Sequence, residues 1–170
     1  FGTGALAALA GAAAGGIGGC GGGGGKQHVL RSRLRLDVQT PDGYVSGAGV
    51  VQVALRKTNA IGAGPSLSRA LTGQAIVVEL GQRGSLFCLL KADPKSRSSR
   101  PAEEWFEFFL ERREGLSFNA VLGFAESLRA QEPRRELKFD ELPMLVRFRD
   151  IKDPKTVERV DPNNLAEAFG

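Results

Sequence analysis

The first 25 residues contain no acidic or basic side chain, and they hold 12 of the 23 glycines of the chain. The formal surplus of +4 charges therefore belongs to residues 26 to 170. A segment of that length can bury a core, because a domain of ~150 residues hides roughly 70% of its unfolded surface. Acidic and basic residues interleave along most of it, which argues against the concentrated basic face of a nucleic-acid-binding protein.

The chain has only one histidine and two cysteines, and this scarcity excludes most site chemistries. The histidine, His28, stands beside a glycine-rich segment, and we interpret it as a bystander, because a catalytic histidine needs a rigid position near its partners. Most Ser-His-Asp and Cys-His schemes are thereby excluded, as are zinc sites with several Cys or His ligands. The domain also lacks GxSxG, P-loop and GxGxxG motifs. We predict no catalytic residue, no metal and no cofactor.

The amino-terminal segment is apolar and rich in small residues. Residues 5 to 19 read ALAALAGAAAGGIGG, which is too short to span a membrane but suits the apolar region and cleavage site of a secretory signal. Ile17-Gly18-Gly19-Cys20 resembles the lipobox of bacterial lipoproteins. The resemblance implies cleavage of residues 1–19 and acylation of Cys20, the lipidation site. An alternative interpretation is a disordered Gly/Ala linker with an incidental cysteine.

The lipobox resemblance also predicts a cellular location. Residues 20–27 would form a lipidated, glycine-rich tether that lets a folded domain stand off the bilayer. No Asp follows Cys20, which in Gram-negative lipoproteins resembles outer-membrane retention. We expect a cell-envelope protein on the periplasmic side of the outer membrane, with the membrane and an envelope protein as partners and no nucleic acid. The chain starts at Phe1 without a basic region, so we expect it to be a fragment.

Strand patterns dominate residues 28 to 92. Residues 29 to 39 and 44 to 56 alternate around the turn signal Pro41-Asp42-Gly43 and predict a hairpin. Residues 57 to 66, with two Gly, one Pro and one Asn, predict a loop. Residues 74 to 80 and 85 to 91 predict two strands that are apolar on both faces and therefore central and covered on both sides. Within the second, Cys88 reads as a small buried hydrophobe.

Helical patterns and two short strands follow. A helix is predicted from about Ala102, with a core stripe of Trp105, Phe106, Phe108 and Phe109. A second is capped by Ser117 and ended by Pro133. Strands are predicted at 144 to 148 and 156 to 160, and a last helix opens with Asp161 as cap and Pro162 at its first position. The prediction is an α+β domain over residues 28–170, with a mostly antiparallel sheet and two helices packed on one face.

Three groups of charged residues are candidate sites. Arg31, Arg33 and Arg35 share one strand face at about 6.6 Å spacing, and they either bind anions or keep an edge strand soluble. Glu79, Asp140 and Glu141 would serve an envelope hydrolase if two of them converged in a cleft. Asp150, Asp153, Glu158 and Asp161 lack the spacing of a calcium loop and read as turn and cap residues.

From about residue 33 onward the chain resembles an uncharacterised group of small predicted lipoproteins and exported proteins of proteobacteria. The resembling stretches are residues 34–43 (LRLDVQTPDG), 73–80 (GQAIVVEL), 86–90 (LFCLL) and 156–165 (TVERVDPNNL). The resemblance implies no activity, cofactor or catalytic residue. It implies another strand after the last helix, so we expect the carboxyl end to be truncated as well.

Three functions remain open from the sequence. The leading hypothesis is a membrane-tethered, non-catalytic periplasmic interaction domain. The second is an envelope-associated hydrolase that uses carboxylates. The third is a cytosolic domain that binds nucleic acid through its arginines.

Overall fold

A computed structural model describes residues 27–60, 64–110 and 117–170 of the protein. Seven strands in the described part form two antiparallel sheets. The predicted leader, Cys20 and all but the last residue of the predicted tether lie outside the described residues. The mostly antiparallel α+β fold is confirmed.

The first sheet has the order β1-β2-β3. Its strands are β1 (Gln27–Thr40), β2 (Gly43–Ala60) and β3 (Gly64–Thr72). The predicted turn joins β1 to β2, and Gly43 has φ +125°, a conformation that side chains rarely adopt. Alternate residues of β1 (Leu30, Leu34, Leu36 and Val38) are buried on the inner side.

The predicted loop at 57 to 66 is wrong, because β2 continues to Ala60 and β3 begins at Gly64. The two strands pair antiparallel as far as Ala60 and Gly64. Leu67 and Leu71 of β3 pack against the buried residues of the first sheet. The strand therefore has a short alternating pattern, which the neighbouring Gly and Pro residues obscure in the sequence. β3 pairs with β2 over its whole length.

The second sheet has the order β4-β5-β6-β7. Its strands are β4 (Ile76–Glu79), β5 (Ser85–Ala92), β6 (Pro143–Phe148) and β7 (Val157–Arg159). The predicted central position of the first two is wrong for β4, which lies at an edge of this sheet. Ile76 and Val78 are buried, whereas Val77 on the opposite side is 37% exposed. One face of this strand is therefore uncovered by the described residues.

The core lies between the inner faces of the two sheets. Gly47 and Gly49 of β2 allow β4 to approach, since a Cβ on Gly47 would lie 2.2 Å from the Val77 carbonyl oxygen. Cys88 is fully buried in this core, and desolvation raises the pKa of its thiol to about 12. Its predicted role as a small hydrophobe is confirmed, because such a pKa keeps the thiol uncharged.

The predicted helix at 102 is a 3₁₀ helix, Ala102–Phe109. Its Trp105, Phe106 and Phe108 are buried, so the core-packing interpretation of the aromatic stripe is confirmed. The Trp105 indole N–H donates to the Arg100 carbonyl at 3.1 Å, which satisfies the one polar atom of that side chain. A short 3₁₀ segment suffices because burial of the rings, not helix propensity, stabilises it.

The two α-helices are α1 (Phe118–Gln131) and α2 (Leu165–Phe169). The predicted cap of α1 is confirmed, since Ser117 Oγ accepts from the Ala120 amide at 3.2 Å. Ala125 and Leu128 pack with Leu30 and Val53 on the inner face of the first sheet. The predicted start of the last helix is wrong: α2 begins after Asn164, and Asp161 instead accepts from the Asn163 amide in a turn.

Candidate functional site

The predicted arginine ladder lies on the solvent side of β1, at an edge of the first sheet. Arg33 and Arg35 are exposed and Arg31 is half-buried. Because alternate residues of a strand point to opposite sides, all three project from the same face of the sheet. Register places Arg56 of β2, which is also exposed, on that face, opposite Gln27. We call the solvent side of the first sheet, with these four arginines, the arginine face.

The residues of β2 that lie between these arginines are small or uncharged. Arg33 is paired with Val50, Arg35 with Ala48 and Arg31 with Gln52. Val50 is 54% exposed, so no element of the described structure covers the middle of the face. The arginine side chains consequently lie next to shorter, uncharged side chains of β2.

Hydrogen bonds hold two of the three ladder arginines. Arg31 Nε donates to Gln52 Oε1 at 3.0 Å, and Arg35 Nε donates to Asp37 Oδ1 at 2.8 Å. The Arg33 guanidinium has no hydrogen-bond or ion-pair partner among the described residues. Arg33 therefore presents all its donors to solvent.

The charge of the arginine face is strongly one-sided. Its positions on β1, β2 and β3 hold four arginines and one carboxylate, Asp37. Coulomb attraction of a bound anion to several cations on one surface adds up, although salt screens it beyond about 10 Å. The arrangement can bind an anionic surface.

His28 is less peripheral than its sequence position suggests. Its side chain is buried on the inner side of β1, and its Nδ1 atom lies 3.2 Å from Glu126 Oε1 on α1. The contact joins the start of the first sheet to the helix that covers it. The expectation of a linker-side bystander is therefore wrong about its surroundings, and the contact gives His28 a structural role.

Two of the three carboxylates of the hydrolase hypothesis, Glu79 and Glu141, are engaged, each with a different partner. Glu79 accepts from Ser85 Oγ at 2.6 Å across the β4–β5 hairpin. Glu141 is ion-paired with Arg135 and also accepts from the Lys138 amide. The Asp140 backbone carbonyl accepts from Ser96 Oγ. No described contact brings two of these carboxylates together.

The acidic residues of the calcium alternative form turns. Asp150 accepts from the Lys152 amide and Asp153 from the Lys155 amide, each within two residues. Glu158 instead bridges Arg147 and Arg149. Within the described ranges no group of three or more His, Cys, Asp or Glu side chains could hold a metal ion.

Sequence reasoning missed Asp93, a buried carboxylate that is bound at both oxygens. Arg159 donates to both its oxygens, with Nε to Oδ1 at 2.9 Å and Nη2 to Oδ2 at 2.5 Å. These hydrogen bonds, together with one from the Lys95 amide, hold the pKa of Asp93 below its usual value. The partners are 66 residues apart, so no local pattern could reveal the pair.

A second charged cluster joins the 3₁₀ helix to β3. Glu107 is ion-paired with Arg69 at 2.8 Å and with Arg100 at 3.4 Å. Burial raises the pKa of Glu107 in spite of both cations. Glu104 contacts the same two arginines. This network anchors the 3₁₀ helix to β3, and it contains as many arginines as glutamates.

Comparison of the chain with protein-family models, with curated proteins and with solved structures found no match. None of the helices in the described part of the chain is long and apolar enough to cross a membrane.

Proposed function

We propose that the protein is a membrane-tethered, non-catalytic interaction domain of the bacterial cell envelope, and that the arginine face binds an acidic surface of an envelope partner protein. In this proposal the lipid anchor is Cys20 and the domain works on the periplasmic side of the outer membrane. The observation that carries it is the one-sided charge of the arginine face, with Arg33 free to bind among the described residues.

The position of the arginine face in the chain supports this proposal. β1 begins at Gln27, so six residues, 21 to 26, separate it from Cys20. Six residues span at most about 21 Å when fully extended. An anchor at Cys20 would therefore keep the arginine face close to the envelope surface, where long-range attraction speeds encounter with an acidic partner.

An envelope hydrolase has less support. Glu79 and Glu141 are bound to Ser85 and Arg135, respectively, and Asp140 is exposed beside Glu141 in a 3₁₀ turn. A carboxylate pair for glycoside hydrolysis needs two groups that flank one bond, about 5 to 10 Å apart, with one pKa raised. No described contact of these residues points to such a pair.

The anchor is tested by mass spectrometry of the full-length protein from native membranes. We expect an amino terminus at Cys20 that carries acyl chains. A Cys20→Ser variant should lose both the cleavage and the membrane fraction. An unmodified Cys20 with residues 1–19 still attached would reject the tether.

The arginine face is tested separately with a photo-crosslinking amino acid at position 50, in the centre of the face. We expect one discrete crosslinked envelope protein in cells, and loss of that product in a double Arg33→Glu, Arg35→Glu variant. A double Arg97→Glu, Lys95→Glu variant, changed in an exposed loop and equal in charge change, should retain it. Crosslinking that survives the double substitution would reject the arginine face as the binding surface.

A further inference from the structure

A basic cleft lies at one end of the second sheet. Its lining comes from the turn between β4 and β5, with Arg83, and from the end of β6, with Arg147 and Arg149. Phe169, at the end of α2, also lines it. The cleft has a volume of about 360 Å³, enough for a small ligand.

Two of its three arginines share a single carboxylate. Arg147 donates from Nε and Nη2 to Glu158 Oε2 at 3.0 and 2.9 Å, and Arg149 Nε lies 2.9 Å from Glu158 Oε1. Arg83 is paired with Asp42 at 2.7 Å, but the Asp42 side chain is 76% exposed. Such an exposed pair is weak, so Arg83 can exchange Asp42 for a ligand at little cost.

Arg147 and Arg149 therefore have more N–H donors than Glu158 accepts from. A guanidinium has five N–H groups, and Glu158 takes bonds from only one nitrogen of Arg149 and two of Arg147. The Arg147 guanidinium lies over the Phe169 ring, 5.8 Å from its centroid, which fixes its position. Phe148, the next residue of β6, packs edge-to-face against Phe87 at 5.2 Å on the opposite side of the sheet from Arg147.

We propose that this cleft binds the phosphate group of a small organic ligand, with the phosphate between Arg83, Arg147 and Arg149. A phosphate dianion has three terminal oxygens and two negative charges, and it therefore suits three guanidiniums better than one carboxylate does. Glu158 acts in this arrangement as an internal anion that holds Arg147 and Arg149 in place and competes with the ligand. This proposal goes beyond the tether and the arginine face and does not depend on either.

The test is a titration of the full chain with phenyl phosphate at low salt, followed by calorimetry and by NMR of backbone amides. We expect saturable binding that shifts the amides of Gly84 and Ser85 in the cleft wall. Benzyl alcohol, which lacks the phosphate, should not bind.

Two cleft variants should change the affinity in opposite directions. Arg149→Gln, at a side chain that is 68% exposed, should weaken binding at least fivefold without loss of fold. Glu158→Gln removes the competing anion and should tighten binding about threefold or more. Arg97→Gln and Arg33→Gln are charge-matched controls that should leave the affinity unchanged, and Arg33→Gln also separates this cleft from the arginine face.

Three results would overturn the proposal: no saturable binding of phenyl phosphate, equal affinity in Arg149→Gln, or weaker binding in Glu158→Gln. Amide shifts confined to β1 would place the anion on the arginine face instead and would also reject the cleft. The crosslinking at position 50 is independent of each of these results.

Discussion

The environment of an individual residue can be set by partners that are distant in the sequence, and Asp93 is the clearest case. It follows β5, and its side chain receives a two-point contact from Arg159 at the end of β7. Its own amide donates to Ser99 Oγ, and Ser99 Oγ donates to the Leu142 carbonyl. A buried carboxylate of this kind is stable only because each oxygen has a donor.

Replacement of Asp93 by Asn should destabilise the fold by about 2 kcal/mol at pH 7, the usual value for hydrogen bonds to a charged group. Because the pKa of Asp93 is lowered in the folded state, its contribution is present above the unfolded pKa of about 3.9 and is lost as pH falls through the folded pKa. The difference in the free energy of unfolding between wild type and Asp93→Asn should therefore persist from pH 7 to about 4 and shrink below pH 4, as measured by urea unfolding.

Asp150→Asn is the matched control, since this exposed turn residue can keep its bond from the Lys152 amide as Asn. It should change stability by less than about 0.5 kcal/mol. If the stability difference between wild type and Asp93→Asn did not depend on pH, the ion pair could not be the source of that difference.

At the scale of elements, the contact between β2 and β4 depends on residues without side chains. A Cβ on Gly47 would lie 2.2 Å from the Val77 carbonyl oxygen and 2.9 Å from the carbonyl carbon. These are backbone atoms, so no side-chain rotation can relieve the clash. The two sheets must separate locally if this position acquires a methyl group.

Gly47→Ala should therefore destabilise the protein by about 2 kcal/mol or more, at the upper part of the range for overpacking. Gly123→Ala is the matched control: a Cβ there meets nothing within 4 Å, and the position lies inside α1. Alanine favours helix over glycine by roughly 0.8 to 1.0 kcal/mol, so this variant should be more stable. Chemical denaturation of both variants checks the pair, and equal effects would refute the close approach of β2 and β4.

At the scale of the whole molecule, the core is divided into two clusters. One lies between the sheets and includes Cys88, Trp105 and Leu145. The other lies beneath α1, where only Ala125 and Leu128 of that helix are buried. Because α1 buries so few apolar side chains, it should open without unfolding of the sheets.

Native-state hydrogen exchange should accordingly show the amides of α1 exchanging at least tenfold faster than those of β2 and β5. A Ser117→Ala variant, which removes the cap bond to Ala120, should speed exchange in α1 and leave the β5 amides unchanged. Exchange of α1 and β5 at one common rate would mean that the two clusters open together.

Much of the first sheet follows from the sequence alone, because alternation of apolar and polar residues directly determines which side of a strand meets the core. The β1–β2 hairpin, the capped helix α1 and the placement of Arg31, Arg33 and Arg35 on one face were predicted in this way. The role of those arginines, like the lipidation of Cys20, stays a prediction. The hidden strand β3 was missed because Gly64 and Pro65 outweigh its short alternating pattern.

Only the tertiary structure decided which residues from distant parts of the chain meet. The Asp93–Arg159 pair and the cleft of Arg83, Arg147 and Arg149 depend on the order in which the strands of the second sheet pair. Local patterns carry no information on these contacts, because periodicity specifies the face of an element but not its neighbour. The uncovered side of β4 has the same origin: its apolar sequence specifies a strand, whereas its place at the edge of the sheet is set by the other strands.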